Sequence, residues 1–281
     1  MSLSNGDCES AINEPGRGFL GCLTPSVVQH YPYRGKEQFL DDFQHAIDAT
    51  SHTTEWFLVT GVNSEIFTRE FLESDNRPFS SWCSYDAELE LLLLRMIKSA
   101  AHEAAAEAFQ TMLIEAIAPT GMSHSLQALG GATRFAIIGN KEPDKSWVPF
   151  RIPRGRSNNW PSVVLEVAYS ETTAKLQSDI RYWLRASQGD VKIVFTLKIA
   201  RNKPRITIEK WEINENGRVH LETQVTISRN GGSVIIYGSP LTIGFEKLFL
   251  RPPSIPRERN IEIDENGLEF LATAIWHQQR F

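Results

Sequence analysis

The sequence is poor in cysteine and in net positive charge, and each shortage excludes a class of protein. Its three cysteines, Cys8, Cys22 and Cys83, are widely spaced among 281 residues and form neither a CxxC motif nor a Cys-His cluster. This spacing argues against a disulfide framework and against a zinc module. The net charge of −5 argues against a protein that coats nucleic acid through bulk positive charge, although a local basic groove stays open.

Long apolar runs and several well-known catalytic motifs are also missing. The N-terminus is polar and lacks the apolar core of a signal peptide, and the leucine-rich run from Leu89 to Leu94 is far shorter than a membrane span. No phosphate loop, no GxSxG elbow and no HExxH zinc pair occurs in the sequence. We therefore expect an intracellular, reduced protein, cytoplasmic or nuclear, with no membrane partner.

What is present is an alternation of helical and strand-like segments. Residues 1–36 are rich in Ser, Asn, Gly and Pro, which predicts a loosely ordered N-terminal arm before a single domain over residues 37–281. Apolar spacing and composition predict four helices, over Phe39–Ala49, Asp86–Ile117 (with a break near Ser99), Thr172–Ala186 and Leu268–Gln278.

The predicted strands are rich in β-branched residues and bounded by turn residues. They cover Trp56–Val62, Arg134–Ile138, Ser162–Ala168, Val191–Ile199, Ile206–Ile213, Val219–Ile227 and Val234–Tyr237. Asn216-Gly217 is a strong hairpin signal between two of them. This order predicts an α/β (α+β) domain with a central mixed β-sheet flanked by helices and followed by C-terminal β-hairpins.

Two acidic residues stand out against this background. Asp144 follows Pro143, and Glu166 lies inside the apolar run Val163–Ala168, where a carboxylate needs a partner, a hydrogen bond or a metal ion. Two carboxylates on neighbouring strands can hold a hard cation such as magnesium while waters complete its shell. The alternative is a turn aspartate and a strand glutamate that faces solvent.

The motifs around these acids resemble the PD-(D/E)XK nuclease-like superfamily, and most closely the Uma2-like proteins. The resemblance rests on Pro143-Asp144, on Glu166-Val167, and on Ser170-Glu171-Thr172 with Lys175 and Asp179, and it covers roughly residues 86–199. It implies a restriction-endonuclease-like core, Mg²⁺ (or Mn²⁺) bound by Asp144, Glu166 and a helix acid, and phosphodiester hydrolysis in DNA. The lysine of the family orients the attacking water.

The lysine is where this sequence departs from the family. Ala168 occupies the strand position two residues after Glu166, and Asp179 occupies the helix position where Uma2-like proteins place their lysine. Lys175, one turn earlier, is the candidate catalytic lysine, and its alternative is a solvated residue near the start of that helix. Asp179 is either a further carboxylate or a surface charge.

The helix acid has more than one candidate. Glu103 and Glu107 lie one turn apart on the long predicted helix, and Glu103 is our preferred third metal ligand. His102 shares a face with Phe109 and Leu113, which is more typical of a buried or supporting residue than of a ligand.

A basic loop separates the two acids. Arg151, Arg154 and Arg156 are candidate nucleic-acid-binding residues, since guanidinium groups bind phosphates and stack on bases. A surface loop that balances acidic neighbours is the alternative.

Three functional hypotheses follow. The first is a metal-dependent nuclease acting on DNA, and the second is a catalytically degraded protein of the same fold that binds nucleic acid or a protein. The third is a homodimer mediated by the long Ala- and Leu-rich helix, which is compatible with either of the others.

Overall fold

Six α-helices occur in the part of the chain that the structure describes. The structure is a computed structural model that describes residues 18–49, 55–96, 99–130, 134–136, 139–169 and 173–281. Its helices are α1 (Lys36–Ala49), α2 (Ser64–Ile66), α3 (Ala100–Ile117), α4 (Thr173–Arg181), α5 (Phe245–Phe249) and α6 (Glu265–Gln279). Both α2 and α4 continue directly into π-helical turns, over Phe67–Leu72 and Tyr182–Ala186.

The strands form two large sheets and one small one. They are β1 (His30–Pro32), β2 (Trp56–Thr60), β3 (Trp82–Asp86), β4 (Leu91–Arg95), β5 (Leu126–Ala128), β6 (Arg134–Ala136), β7 (Gly139–Lys141), β8 (Lys145–Pro149), β9 (Val163–Tyr169), β10 (Ile193–Ile199), β11 (Arg205–Ile213), β12 (Val219–Asn230), β13 (Ser233–Tyr237), β14 (Leu241–Ile243) and β15 (Ile261–Ile263). The central sheet has the order β13-β12-β11-β10-β9-β8-β5, and a six-stranded sheet has the order β1-β2-β4-β3-β7-β6.

The central sheet is mixed because one helix crosses over it. β9 and β10 run parallel, and α4 makes the connection between them, as a parallel pair requires. The other neighbours in this sheet are antiparallel, and the C-terminal hairpins extend it rather than standing apart. The predicted α+β class, with a central mixed sheet, flanking helices and C-terminal hairpins, is confirmed.

Alternating side chains divide the interior into layers. Val163, Leu165 and Val167 of β9 pack on one face of the central sheet, in the same core cluster as apolar residues of α3 and α6. Val164, on the opposite face, shares a second cluster with Trp183 and with residues of the six-stranded sheet. The helix α4 and its continuation therefore lie between the two sheets.

The six-stranded sheet was not expected, because the predicted helix over Asp86–Ile117 is wrong in its first part. β3 ends at Asp86, β4 covers Leu91–Arg95, and α3 begins only after Ser99, whose hydroxyl accepts from the His102 N–H. Leu92, Leu93 and Leu94 are all fully buried, so both faces of β4 are covered. A strand buried on both faces is continuously apolar and has no period-2 alternation, which makes it hard to distinguish from a helix.

The described part of the predicted loose arm is packed. Residues 1–17 lie outside the described residues, but Phe19, Leu20 and Leu23 are buried in the core cluster between the sheets. The Leu20 N–H donates to Asp86 and the Phe19 carbonyl accepts from Ser178. Over residues 18–36 the expectation of a loose arm is therefore wrong.

The long helix α3 uses its apolar side chains within the chain itself. Ala105, Phe109 and Leu113 are fully buried in the cluster that α3 shares with α6. The homodimer stays a prediction, because the structure uses these apolar side chains of α3 inside the chain. Among the residues that the structure describes, no helix combines the length and the apolar character that a bilayer crossing needs.

Candidate functional site

Asp144 and Glu166 lie opposite each other on neighbouring segments of the central sheet. β8 and β9 are antiparallel, with Lys145 paired to Leu165, and one further step of this register places Asp144 across from Glu166. The Asp144 carboxylate also accepts from the Val167 N–H at 2.8 Å. Strand pairing thus places the two acidic residues on neighbouring segments, as the sequence analysis expects.

Asp144 is held by protein donors on both oxygens. Its Oδ1 accepts from Arg95 Nη1 at 2.8 Å and lies 3.0 Å from His102 Nε2, while its Oδ2 takes the Val167 N–H. Burial alone would raise the pKa of Asp144, but Arg95 and His102 lower it well below its ordinary value. This carboxylate is therefore ionised and fully engaged with groups of the chain.

Glu166 has a different set of neighbours. Its Oε1 accepts from the indole N–H of Trp183 at 2.5 Å and lies 3.2 Å from Lys141 Nζ. Burial raises the pKa of Glu166 to about 7, although Lys141 opposes the shift. Glu166 faces the same side of β9 as Val164, as strand alternation predicts.

A third carboxylate, Asp179, joins two buried lysines. Lys175 Nζ lies 2.7 and 2.5 Å from the two Asp179 oxygens, and Lys141 Nζ lies 2.8 Å from Oδ1. Burial lowers the pKa of Lys141, but Asp179 and then Glu166 more than offset this and raise it above its ordinary value. Lys141 thus bridges the two acids.

Lys175, on helix α4, lies in the interior of the protein. Lys175 is 2% exposed, so the alternative of a solvated lysine is wrong. It pairs with Asp179, and its ammonium lies 4.6 Å from the centre of the Trp56 ring on β2. Asp179 is likewise buried, as a further carboxylate rather than a surface charge. The motif residues Ser170, Glu171 and Thr172 lie outside the described residues.

These groups border a cavity of about 630 Å³. Its lining combines both sheets with α3 and α4 and includes Trp56, Arg77, Ser80, Ser81, Trp82, Arg95, His102, Glu103, Glu107, Lys141, Asp144, Lys145, Glu166 and Lys175. Glu103 lines the cavity as an exposed side chain, and Glu107 is engaged by Lys145 Nζ at 2.7 Å. The cavity is therefore polar, with cations and carboxylates in near balance.

The basic loop lies away from this cavity. Arg151 and Arg154 are exposed and do not line it. Arg156 donates to the main-chain carbonyls of Pro161 and Asp190, at 3.0 and 2.9 Å, and its side chain is 8% exposed. Arg156 therefore fixes the loop to the main chain, whereas Arg151 and Arg154 are exposed to solvent.

The predicted metal ligands do not fit a magnesium ion. Within the described ranges, no group of three or more His, Cys, Asp or Glu side chains is arranged to hold a metal ion. Asp144 accepts from Arg95 and from the Val167 N–H and contacts His102 Nε2, and Glu166 is paired with Lys141 and Trp183. A hard cation needs carboxylate oxygens that are open to it. The predicted set of Asp144, Glu166 and Glu103 is therefore not assembled as a metal centre.

Sequence reasoning missed the two cations that matter most here. Arg95 ends the leucine-rich run that was interpreted as helix, and Lys141 precedes Asp144 by only three residues. A lysine so close to a Pro-Asp pair is a usable signal. Its contact with Asp179 could not be foreseen, because it depends on the six-stranded sheet.

Comparisons with known proteins give a distant structural likeness. No protein-family model and no curated protein matches the chain. Among solved structures, the chain is similar to a presumed nuclease of the DUF820 family from Anabaena variabilis ATCC 29413. The identity is 13%, the TM-score is 0.40, and the match covers 72% of this chain and 97% of the other.

Proposed function

We propose that this chain is a nuclease-like domain that binds the sugar-phosphate backbone of DNA at the cavity beside Asp144 and does not hydrolyse it. The observation that carries the proposal is the occupation of Asp144 by Arg95, His102 and the Val167 N–H. A carboxylate whose two oxygens already contact donors of the protein would have to give up or share these contacts to hold a catalytic ion.

Support for backbone binding comes from the cavity lining. The lining includes the exposed Arg77 and Lys145, which pairs with Glu107, and the hydroxyl groups of Ser80 and Ser81. Arg77 also lines a neighbouring groove of about 720 Å³, so the two depressions adjoin. Such groups bind phosphates without reading sequence. With a net charge of −5, we expect contacts to few phosphates and only moderate affinity.

The test is a salt titration of DNA binding in the presence of EDTA. Fluorescence anisotropy with single- and double-stranded oligonucleotides should show saturable, salt-sensitive binding. Arg77→Gln and Lys145→Gln should each weaken it and reduce the salt slope by about one unit. Arg218→Gln, exposed in the β11–β12 hairpin, is the matched control and should bind like the parent. DNA affinity that is unchanged in both Arg77→Gln and Lys145→Gln would refute the proposed surface.

Metal-dependent hydrolysis is the second candidate, favoured by the register that sets Asp144 opposite Glu166 beside two lysines. The DNA should be incubated with Mg²⁺ or Mn²⁺ and the parent, Asp144→Ala or Glu166→Ala, with folding verified by circular dichroism. Cleavage by the parent that both variants lose would establish a nuclease and overturn our proposal. We expect intact DNA in every reaction.

A further inference from the structure

We infer that Arg95 and Lys141 take the place of a divalent cation, so that Asp144 and Glu166 join the two large sheets instead of binding metal. Both cations belong to the six-stranded sheet, Arg95 at the end of β4 and Lys141 at the end of β7. This inference is independent of whether the cavity binds DNA.

The direction of the contacts supports a link between layers. Glu166 belongs to β9 of the central sheet, and Asp144 immediately precedes β8 of the same sheet. Each is reached by a cation from the other sheet, Asp144 by Arg95 at 2.8 Å and Glu166 by Lys141 at 3.2 Å. Asp144 and Glu166 therefore connect the central sheet to the six-stranded sheet, and the sequence does not show that these two sheets are neighbours.

The charges of the buried cluster are balanced without an added ion. Three acidic side chains, Asp144, Glu166 and Asp179, are paired with three basic side chains, Arg95, Lys141 and Lys175. Further ionisable groups interact with this cluster, among them Glu55, His102 and Arg201. An additional divalent ion would leave the buried site with an uncompensated excess of positive charge.

Each carboxylate also has an N–H group that can report on bound metal. Asp144 accepts from the Val167 backbone N–H, and Glu166 accepts from the Trp183 indole N–H. A paramagnetic Mn²⁺ ion on either carboxylate would broaden the corresponding signal in a ¹⁵N–¹H spectrum. Trp276 on α6, which belongs to the other core cluster, supplies a reference indole signal.

The experiment is a Mn²⁺ titration of the ¹⁵N-labelled full chain at about pH 8. At that pH Glu166, with a pKa of about 7, is mostly ionised, so protonation cannot be the reason for weak binding. Trp183→Phe identifies the Trp183 signal. We expect the Val167 and Trp183 signals to keep their intensity relative to Trp276 at equimolar Mn²⁺. Selective loss of either signal in the parent protein would overturn the inference.

A second measurement tests Arg95 directly. Arg95→Met removes the guanidinium group while retaining a long apolar side chain over Trp56, whose ring centre lies 4.6 Å from Arg95 Cζ. In a folded variant we expect Mn²⁺ to broaden Val167, which it spares in the parent. A folded variant that remains unaffected by Mn²⁺ would refute the role given to Arg95.

Discussion

Asp144 and Glu166 lie across from each other at neighbouring strands, with side chains that are 7% and 4% exposed, yet the pKa values of their carboxyl groups shift in opposite directions. The pKa of Asp144 is lowered well below its ordinary value, and that of Glu166 is raised to about 7. Asp144 receives Arg95, His102 and a backbone N–H, whereas Glu166 shares its nearest cation, Lys141, with Asp179. Burial raises the pKa of both groups, and the pKa of Asp144 is lowered because Arg95 and His102 outweigh burial there.

The largest expected effect comes from removing the cation that Glu166 shares. Lys141→Met leaves Glu166 and Asp179 with one buried lysine between them and should cost about 3–5 kcal/mol in the free energy of unfolding. Chemical denaturation measures this change. Lys145→Met is the matched control, because its partner Glu107 is exposed and the pair should contribute less than about 1 kcal/mol. Equal losses in the two variants would show that Lys141 is not the bridge.

Asp144→Asn tests the better-satisfied acid. The amide keeps one acceptor, but its NH₂ group must face donors such as the Val167 N–H, so we expect a loss of about 3 kcal/mol. Urea denaturation at neutral pH gives the value. Glu103→Gln, at an exposed site of the same cavity, should change stability by less than about 0.5 kcal/mol. If both variants were as stable as the parent, the contacts of Asp144 with Arg95, His102 and the Val167 N–H would contribute little to the free energy of unfolding.

The raised pKa of Glu166 predicts a pH dependence of opposite sign to that of Asp144. The folded state holds the Glu166 proton up to a pKa of about 7, against 4.5 for an ordinary glutamate, so stability falls as pH rises between these values. The contribution of Asp144, with its lowered pKa, is lost only as pH falls below about 3.8, so the windows are separate.

Glu166→Gln isolates this effect, since glutamine has no proton to release. Relative to the variant, the parent should lose on the order of 2 kcal/mol between about pH 5 and pH 8. Denaturation curves of both proteins across this range give the difference. A difference that stayed constant with pH would mean that Glu166 titrates normally.

The smallest expected effect separates the arginines of the basic loop. Arg156→Gln should cost about 1 kcal/mol, because two main-chain carbonyls lose their donor. Arg154→Gln should be neutral within about 0.5 kcal/mol, since its side chain is exposed. Thermal unfolding of the two variants side by side makes the comparison, and a reversed order would contradict the assignment.

The local sequence pattern is enough to predict those parts of the site that depend on a single sheet. β-Branched residues predict β9, and the apolar face of Thr172–Ala186 predicts α4. The opposition of Asp144 and Glu166 could be anticipated because neighbouring strands bring such residues together. The run Leu91–Leu94 could not be assigned, because burial on both faces removes the periodicity on which such assignments depend.

The sequence by itself determined the class of fold, the central mixed sheet and the pairing of its two acids. Only the tertiary structure decided what those acids do, because their cations come from another sheet. Arg95 precedes Asp144 by 49 residues, and Lys141 reaches Asp179 only where α4 is enclosed between the sheets. Ionisation depends on distances between side chains and on their burial, and neither is encoded in the local pattern of the chain.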